Sequence, residues 1–463
     1  MIQKFPKFVF EIKNKFQKGG LEIYLVGGSV RDILMGKIPK DWDFTTNAKP
    51  AEIQTMFERS FYDNRFGTVG IPGETFNLEK TQIIEITTFR KESGYSDRRQ
   101  PDVVKFAQTL KEDLARRDFT INAMALLIDY GLQTTDYSKE IIDPFGGQED
   151  LKNKMIRAVG DPDLRFAEDA LRLIRAIRLA TQLKFVINQK TFAAIKNNAS
   201  LIKKISGERI REELFKILSS DFCADGFWLL RNSGILAEIL PEVETGFEVE
   251  QKTPLRHHIY DVGTHSFKSL EACPSKDPLV RFAALLHDIG KPISVGRDEN
   301  GTTTFYNHEV IGAHLTRAIA QRLHFSKKER EKLVTLIRWH QFSVDEATTP
   351  AAVRRFIRRV GVENIKDMVD VRVADRLGGG LTEATSWRLR RFMEMVKNEL
   401  HPPFSVTDLA VNGRDVMKIL EIPPGPEVGK TLQEIFDEIE EGKEKNDRKA
   451  LLKRLEQIKK AKR

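Results

Sequence analysis

Near residue 145 the apolar residues of this chain change period, and that change restricts its architecture more than any other feature. Before it, short β-rich runs such as EIYLV (22–26), FGTVGI (66–71), IIEITTF (83–89) and DVVKF (102–106) alternate with Gly, Pro and Asn clusters. After it, stretches such as FAEDALRLIRAIRLATQL (166–183) and ISGERIREELFKILSS (205–220) repeat their apolar residues at the 3.6-residue period of a helix. The expected fold is an α+β head followed by an all-α remainder. At 463 residues the chain exceeds one hydrophobic core. Breaks at the DPFGG turn (143–147), around 245–256 and at His401-Pro402-Pro403 predict four parts: 1–142, 143–245, 246–400 and 401–463.

Several classes are disfavoured at once. No apolar run approaches the roughly 18 residues of a membrane span, and the N-terminal MIQKFPKFVFEIKNKF lacks the pattern of a signal peptide. Cys223 and Cys273 are the sole cysteines, which argues against a disulfide framework or thiolate metal site and fits the cytoplasm. A net charge of +8 and a pI near 9.2 permit an acidic partner such as RNA. All nine histidines lie between His257 and His401. The chemistry of the first half therefore runs on carboxylates and arginines, and any imidazole metal site belongs to the second.

The stretch LVGGSVRDILMGKIPKDWDF (25–44) concentrates that first chemistry. A strand ending at Val26 runs into Gly27-Gly28, where the backbone can turn sharply and aim N–H groups at an anion. Arg31 follows on the first helical turn, placed to clamp phosphate oxygens. Asp41 and Asp43 share the strand period, so both carboxylates would leave one face. Such a pair repels itself unless a cation intervenes, and Mg²⁺ is the natural occupant beside substrate phosphates. A Walker loop is absent; GPEVGK (425–430) has the wrong spacing. In the 168–178 segment Ala170, Leu173, Ile174 and Ile177 form one helical face. Arg172, Arg175 and Arg178 lie opposite, with Asp169 one helical step from Arg172.

These residues carry a resemblance. LVGGSVRD with DWDFTT resembles the first motif of the class II tRNA nucleotidyltransferases, the bacterial CCA-adding enzymes and poly(A) polymerases of the polymerase-β-like superfamily. RRDFTINAMA (116–125) is similar to that family's ribose-contacting motif, DPFGG to its hinge, and EDALR (168–172) to its base-reading motif. GERIREEL (207–214) resembles its neck support, and DLAVNGRDVM…IPPGPEVGK (408–430) its tail. The resemblance implies that Asp41 and Asp43 hold Mg²⁺, with Glu85 in the position of a third strand carboxylate. It implies nucleotide contacts at Gly27, Gly28 and Arg31, at Arg117 for the triphosphate, and at Asp118 for the ribose hydroxyls. Asp169 and Arg172 would read the Watson–Crick edge of C or A, while Arg175 and Arg178 support the pocket or bind phosphates. FRKESGYSDRRQPD (89–102) reads as a mobile charged loop. It occupies the place of the family's flexible loop, which counts against addition of CC alone. RFGTVGI (65–71) resembles the CCA-type strand rather than that of the polymerases.

RFAALLHDIGKP (281–292) is similar to the HD-domain signature. His265, His287-Asp288, His308 with Glu309, His340 and Asp375 follow the order H…HD…H…H…D of the metal-dependent phosphohydrolases. The resemblance implies Mn²⁺, Ni²⁺ or Mg²⁺ held by His265, His287, Asp288 and Asp375, with His308 and His340 as a second tier. It further implies hydrolysis of 2′,3′-cyclic phosphates or 3′-phosphates on RNA ends. His314, His324 and His401 read as structural, whereas His257 and His258 fit either role.

The expected protein thus adds CCA, or its terminal A, to tRNA from CTP and ATP, with no membrane and no protein partner implied. Poly(A) addition is the nearest alternative. Two more distant ones are an HD phosphohydrolase with a nucleotide-binding head and a non-catalytic tRNA-binding protein.

Overall fold

Phe8, Ile12 and Phe16 recur at four-residue intervals along α1 (Lys7–Lys18), and with Val9 they bury one stripe of that helix. In the computed structural model, which describes residues 5–63, 67–79, 82–93, 103–128, 140–251, 259–342, 345, 347–400 and 405–461, the stripe joins a core with Leu25, Phe44 and Ile86 of a central sheet. The chain forms two compact units, Met1–Glu244 and Thr245–Arg463.

In the first unit the elements run β1 (Ile23–Val26), α2 (Gly28–Leu34), β2 (Asp43–Thr46), α3 (Pro50–Met56), β3 (Phe61–Asp63), β4 (Thr68–Pro72) and β5 (Ile83–Thr88). They continue with β6 (Arg90–Ser93), β7 (Val103–Phe106), α4 (Leu110–Ala115), β8 (Ala125–Leu127) and β9 (Ile141–Ile142). The main sheet has the order β3-β4-β5-β2-β1-β8-β9. Its one parallel pairing, β2 with β5, sets Asp43 beside Glu85. Helices follow, among them α5 (Gly147–Lys152), α6 (Pro162–Glu168), α7 (Leu171–Leu183), α8 (Gln189–Asn198) and α9 (Gly207–Leu218). The head is α+β and the remainder helical, as the change of period predicts.

Three local expectations need correction. Residues 90–93 of the expected charged loop are strand β6, paired antiparallel with β7, because Arg90 to Ser93 find ladder partners in Val103 to Phe106; residues 94–102 lie outside the described residues. Asp41 precedes β2, which begins at Asp43, so the two aspartates are not successive same-face strand residues. The run 166–183 is two helices rather than one. Asp169 is extended (φ −135°, ψ 106°) between α6 and α7, and its Oδ1 accepts the N–H of Leu171 at 3.0 Å. A local bond from the backbone to a short carboxylate has won over helical continuation.

The second unit is built from α10 (Val262–Ala272), α11 (Pro278–Leu286), α12 (His308–Arg322), α13 (Lys327–Arg338), α14 (Pro350–Val360), α15 (Ile365–Gly378) and α16 (Trp387–Asn398). α10 packs on α15 and α11, and α13 on α11 and α12. Asp261, Asp277 and Thr349 cap α10, α11 and α14 with side-chain oxygens. Val416, Ile435, Phe436, Leu451 and Leu455 belong to a separate core near the C-terminus.

Candidate active site and histidine cluster

The glycine turn of the first unit is shaped for close approach. Gly27 has φ +70°, and a Cβ there would meet Arg117 Nη1 at 3.0 Å and Asp43 Oδ2 at 3.5 Å. Buried Ser29, which motif reading passed over, ties the aspartates to this turn. Its Oγ donates to the Asp41 carbonyl at 2.9 Å and accepts the Asp43 N–H at 3.0 Å. Burial pushes the Asp43 carboxyl above its ordinary range; Arg117 pulls it back, Asp41 raises it further and Arg31 opposes that. Two carboxylates and two guanidiniums therefore share one neighbourhood, and Glu85, exposed, occupies the adjacent strand. Hard oxygen donors of this kind suit Mg²⁺.

Arg31 Nη1 donates to Asn122 Oδ1 at 2.8 Å, and Asn122 Nδ2 donates to Asp118 Oδ1 at 3.3 Å. Arg175 Nε and Nη2 then donate to Asp118 Oδ2 at 2.9 and 2.5 Å. Burial opposes the charge on Asp118, but Arg175 outweighs it and holds the carboxyl well below its usual range. Arg31, Asp118 and Arg175 of α7 are thus one hydrogen-bonded chain, with Asn122 as its unforeseen link. Asp113, fully buried, receives Arg116 at 2.8 Å and Arg117 at 3.4 Å and anchors both.

The basic residues of α7 do not form a solvated face. Arg172 is 8% exposed and donates to the carbonyls of Arg165 and Arg116 and to Glu168. Arg178 pairs with buried Glu213 of α9 at 2.6 Å. Arg209 of the same helix reaches Asp169 Oδ2 at 3.4 Å. The GERIREEL helix therefore positions Asp169 and Arg178, while Asp169 and Arg172 come from separate elements that meet at the α6–α7 break.

The histidine cluster of the second unit centres on Asp288. Its Oδ2 lies 3.3 Å from His265 Nε2 and 3.2 Å from His287 Nε2; its Oδ1 lies 3.4 Å from His308 Nε2 and 3.7 Å from His340 Nε2. Asp375 Oδ1 adds contacts at 3.3 Å to His265 and 3.7 Å to His287. The Nδ1 atoms of His287, His308 and His340 face the carbonyls of Ala284, Phe305 and Ile337 at 2.7–2.8 Å, an arrangement that directs Nε2 inward. Two Nε2 pairs nevertheless approach each other, His265–His287 at 3.1 Å and His308–His340 at 3.4 Å. Such lone pairs tolerate this proximity when a proton or cation sits between them. Burial disfavours charge on both His287 and His340. Asp288 and Asp375 override it for His287, held up to about 10, whereas His340 falls to about 3.

The cluster thus offers two ligand groups sharing Asp288: His265–His287–Asp288 and Asp288–His308–His340. His308 and His340 stand level with the first-tier residues, and the fold, not motif order, places them there. Gly290 permits the approach, since a Cβ on it would lie 2.1 Å from the His308 carbonyl. Lys291, buried, sets Nζ 2.6 Å from Asp288 Oδ2 and 2.6 Å from Gln251 Oε1; sequence reading passed over both, although Lys291 is one helical turn after Asp288. Asp41, Asp43 and Glu85 do not converge as closely as these groups do among the described residues. His257, His258 and His401 lie outside the described residues.

Three family models match the chain: "Poly A polymerase head domain" over 23–157, "Probable RNA and SrmB- binding site of polymerase A" over 184–247, and "HD domain" over 256–379. A CCA-adding enzyme of Enterococcus faecalis is 34% identical over 435 residues, which cover 94% of this chain and 91% of that protein. A CCA-adding enzyme of Lactobacillus helveticus is 52% identical over 202 residues, 43% of this chain and 47% of that one. The crystal structure of the Bacillus stearothermophilus CCA-adding enzyme in complex with CTP superposes with a TM-score of 0.71 at 26% identity, covering 99% of both chains.

Proposed function

Because this chain belongs to the family of CCA-adding enzymes, we propose that it extends tRNA 3′ ends with CCA from CTP and ATP, without a nucleic-acid template. The 3′-hydroxyl of the tRNA attacks the α-phosphate of the incoming nucleotide, and pyrophosphate leaves. The observation that carries this reading is the convergence of Arg31, Arg117 and Asp43 on the Gly27 turn. Arg31 and Arg117 bind the triphosphate, and the small Gly27 lets its phosphates approach the backbone. Asp43 and Asp41 would hold Mg²⁺, with Glu85 opposite Asp43 on the adjacent strand, and the ion when bound would neutralise charge at the reacting phosphate. Asp118, fixed by Arg175 and Asn122, orients the ribose. Asp169, held by Arg209, and Arg172 read the base, while Arg175 and Arg178 support the pocket or bind phosphates.

Functionally we divide the chain into a nucleotidyltransferase head (1–142), a neck (143–245), an HD body (246–400) and a tRNA-binding tail (401–463). Cytoplasmic location accords with its substrates and with its two buried cysteine thiols. No helix among the described residues is long and apolar enough to cross a membrane. Incubation with tRNA lacking CCA, or ending in C or CC, with CTP or ATP supplied separately, tests the reading. C must be added to the first two acceptors and A only to the third.

A second activity, metal-dependent phosphoester hydrolysis, is favoured by the facing Nε2 pairs around Asp288. Nitrogen-rich donors with a shared carboxylate suit Mn²⁺ or Ni²⁺, with Mg²⁺ the harder alternative, and when bound such an ion activates water. Asp288 and Asp375 balance that charge, and Lys291 is placed beside the carboxylate. Release of product from a 2′,3′-cyclic nucleotide in the presence of each metal tests it.

A further inference from the structure

The tail has an apolar core of its own, and its joint to the body is built on charge. Phe436 and Ile439 of α17 (Pro426–Glu440) belong to that core, and α17 packs on α14 of the body. Where α17 ends, the N–H groups of Glu441, Gly442 and Lys443 close the carbonyls of Asp437, Ile439 and Glu438 at 2.9 Å. The Glu440 carbonyl is taken from outside the helix. Arg354 of α14 donates to it from Nε at 2.8 Å and also from Nη2. A cation placed there meets the negative end of the helix dipole. Gly442 makes room: its φ of +75° closes the turn, and a Cβ on it would lie 3.3 Å from Arg354 Nη2. The third nitrogen of the same guanidinium, Nη1, donates to Glu399 at 2.7 Å. Glu399 caps α16 just before residues 401–404, and Glu440 lies beyond them in the chain. One side chain therefore bonds both sides of the junction. A turn further along α14, Arg358 pairs with the Glu440 carboxylate at 3.3 Å and lies over the Phe436 ring, 5.2 Å from its centroid. The side chains of Arg354, Glu399 and Glu440 are at most 19% exposed, so breaking the tie leaves a shielded charge without its partner.

The last helix of the tail, α18 (Arg448–Ala461), turns Leu451, Leu455 and Ile458 into the tail core and leaves Lys449, Lys453 and Lys460 exposed. Such a face binds RNA through its phosphates, and the direction in which it is held decides which phosphates it reaches. We infer that Arg354 is a positioning residue for tRNA: by tying Glu399 to Glu440 it fixes the direction in which the lysine face of the tail meets the RNA. Arg358 reinforces the tie from the next turn. The inference rests on the reading of residues 401–463 as tRNA-binding. Arg354 is not among the residues of the nucleotide site, so its loss weakens tRNA and leaves CTP alone.

The test measures rates of C addition to tRNA lacking CCA, and filter binding of the same tRNA without nucleotide. It compares the parent with Arg354→Ala, Arg354→Lys, Arg358→Glu, and Arg358→Glu combined with Glu440→Arg. Arg354→Ala is expected to raise KM and Kd for tRNA about tenfold, with kcat and KM for CTP within about twofold of the parent. Arg354→Lys should fall between the two, because an ammonium lacks the planar fork that bonds Glu440 and Glu399 together. Arg358→Glu should weaken tRNA binding about tenfold, and the reversed pair should restore it to within about threefold. Unchanged tRNA binding in both Arg354→Ala and Arg358→Glu overturns the inference. So does a parallel loss of tRNA and CTP, which marks general destabilisation. Failure of the reversed pair to restore binding means that the arginines touch RNA themselves, and the positioning role falls. Lys449→Glu combined with Lys453→Glu tests the tail alone. Unchanged tRNA binding there refutes the tail reading and the inference with it. A loss there with none in Arg354→Ala overturns only the positioning role. If the parent adds no nucleotide yet tRNA binding follows the expected pattern, the tRNA-extending reading fails and the role of Arg354 stands.

Discussion

Replacing Asp43 by Asn should separate activity from stability in opposite directions. The side chain of Asp43 is half-buried at the Gly27 turn, and its carboxyl is raised above the ordinary range by burial, with Arg117, Asp41 and Arg31 as the charged neighbours. A folded-state pKa above the unfolded value means that, near neutral pH, the ionised group works against folding. The amide removes that cost, so the urea midpoint should stay level or rise, with an unchanged m-value. Activity moves the other way. One unit charge about 4 Å from a cation is worth about 4 kcal/mol at an effective dielectric near 20, which corresponds to about a thousandfold in rate. The isosteric amide retains shape and loses charge, so the comparison isolates electrostatics from packing. The assay is CTP incorporation into tRNA lacking CCA, run beside urea unfolding followed by circular dichroism. Activity within about tenfold of the parent refutes the cation-holding role. A lower urea midpoint shows instead that Asp43 is a structural partner of Arg117.

Asp118→Asn should destabilise the protein by about 2 kcal/mol at pH 7, less than a fully buried pair because Arg175 is about one-third exposed. Asp118 has a depressed folded-state pKa, so the parent's advantage is present above about pH 4 and shrinks as pH falls further; urea unfolding at pH 7 and at about pH 3 checks this. Asp169→Ala should cost about 1 kcal/mol by removing the hydrogen bond to the Leu171 N–H and lower the preference for CTP and ATP over UTP and GTP by about ten- to a hundredfold. Incorporation of all four nucleotides decides it, and an unaltered ratio in an active variant refutes base reading. His287→Ala should abolish Mn²⁺ or Ni²⁺ uptake by the Asp288 cluster, measured by calorimetry, while nucleotide addition stays within about threefold. Parallel loss of both would mean that the assigned ligands are not separate.

Motif reading could name candidate residues because each motif is short and makes its demand locally. A strand followed by Gly27-Gly28 needs only neighbouring residues to turn and expose its amides, and Arg31 is carried along on the next helical turn. The order of His265, His287-Asp288, His308, His340 and Asp375 is likewise legible, since all nine histidines are confined to residues 257–401. What failed depended on competition within a few residues. Asp169 lies in an apolar period that favours helix, yet its carboxylate accepts the Leu171 N–H two residues on, and the helix breaks there.

The period of the apolar residues was enough to determine an α+β head and a helical remainder, because burial of one face is encoded every two or every 3.6 positions. Only the folded chain decided the partners. Ser29 clamps Asp41 and Asp43, Asn122 joins Arg31 to Asp118, Glu213 takes Arg178, and Asp288 is shared by two histidine pairs. Those groups are separated by up to about a hundred residues, and no local period links them. Their meeting depends on sheet register and helix packing, which place buried charges where each must find its opposite or pay for desolvation.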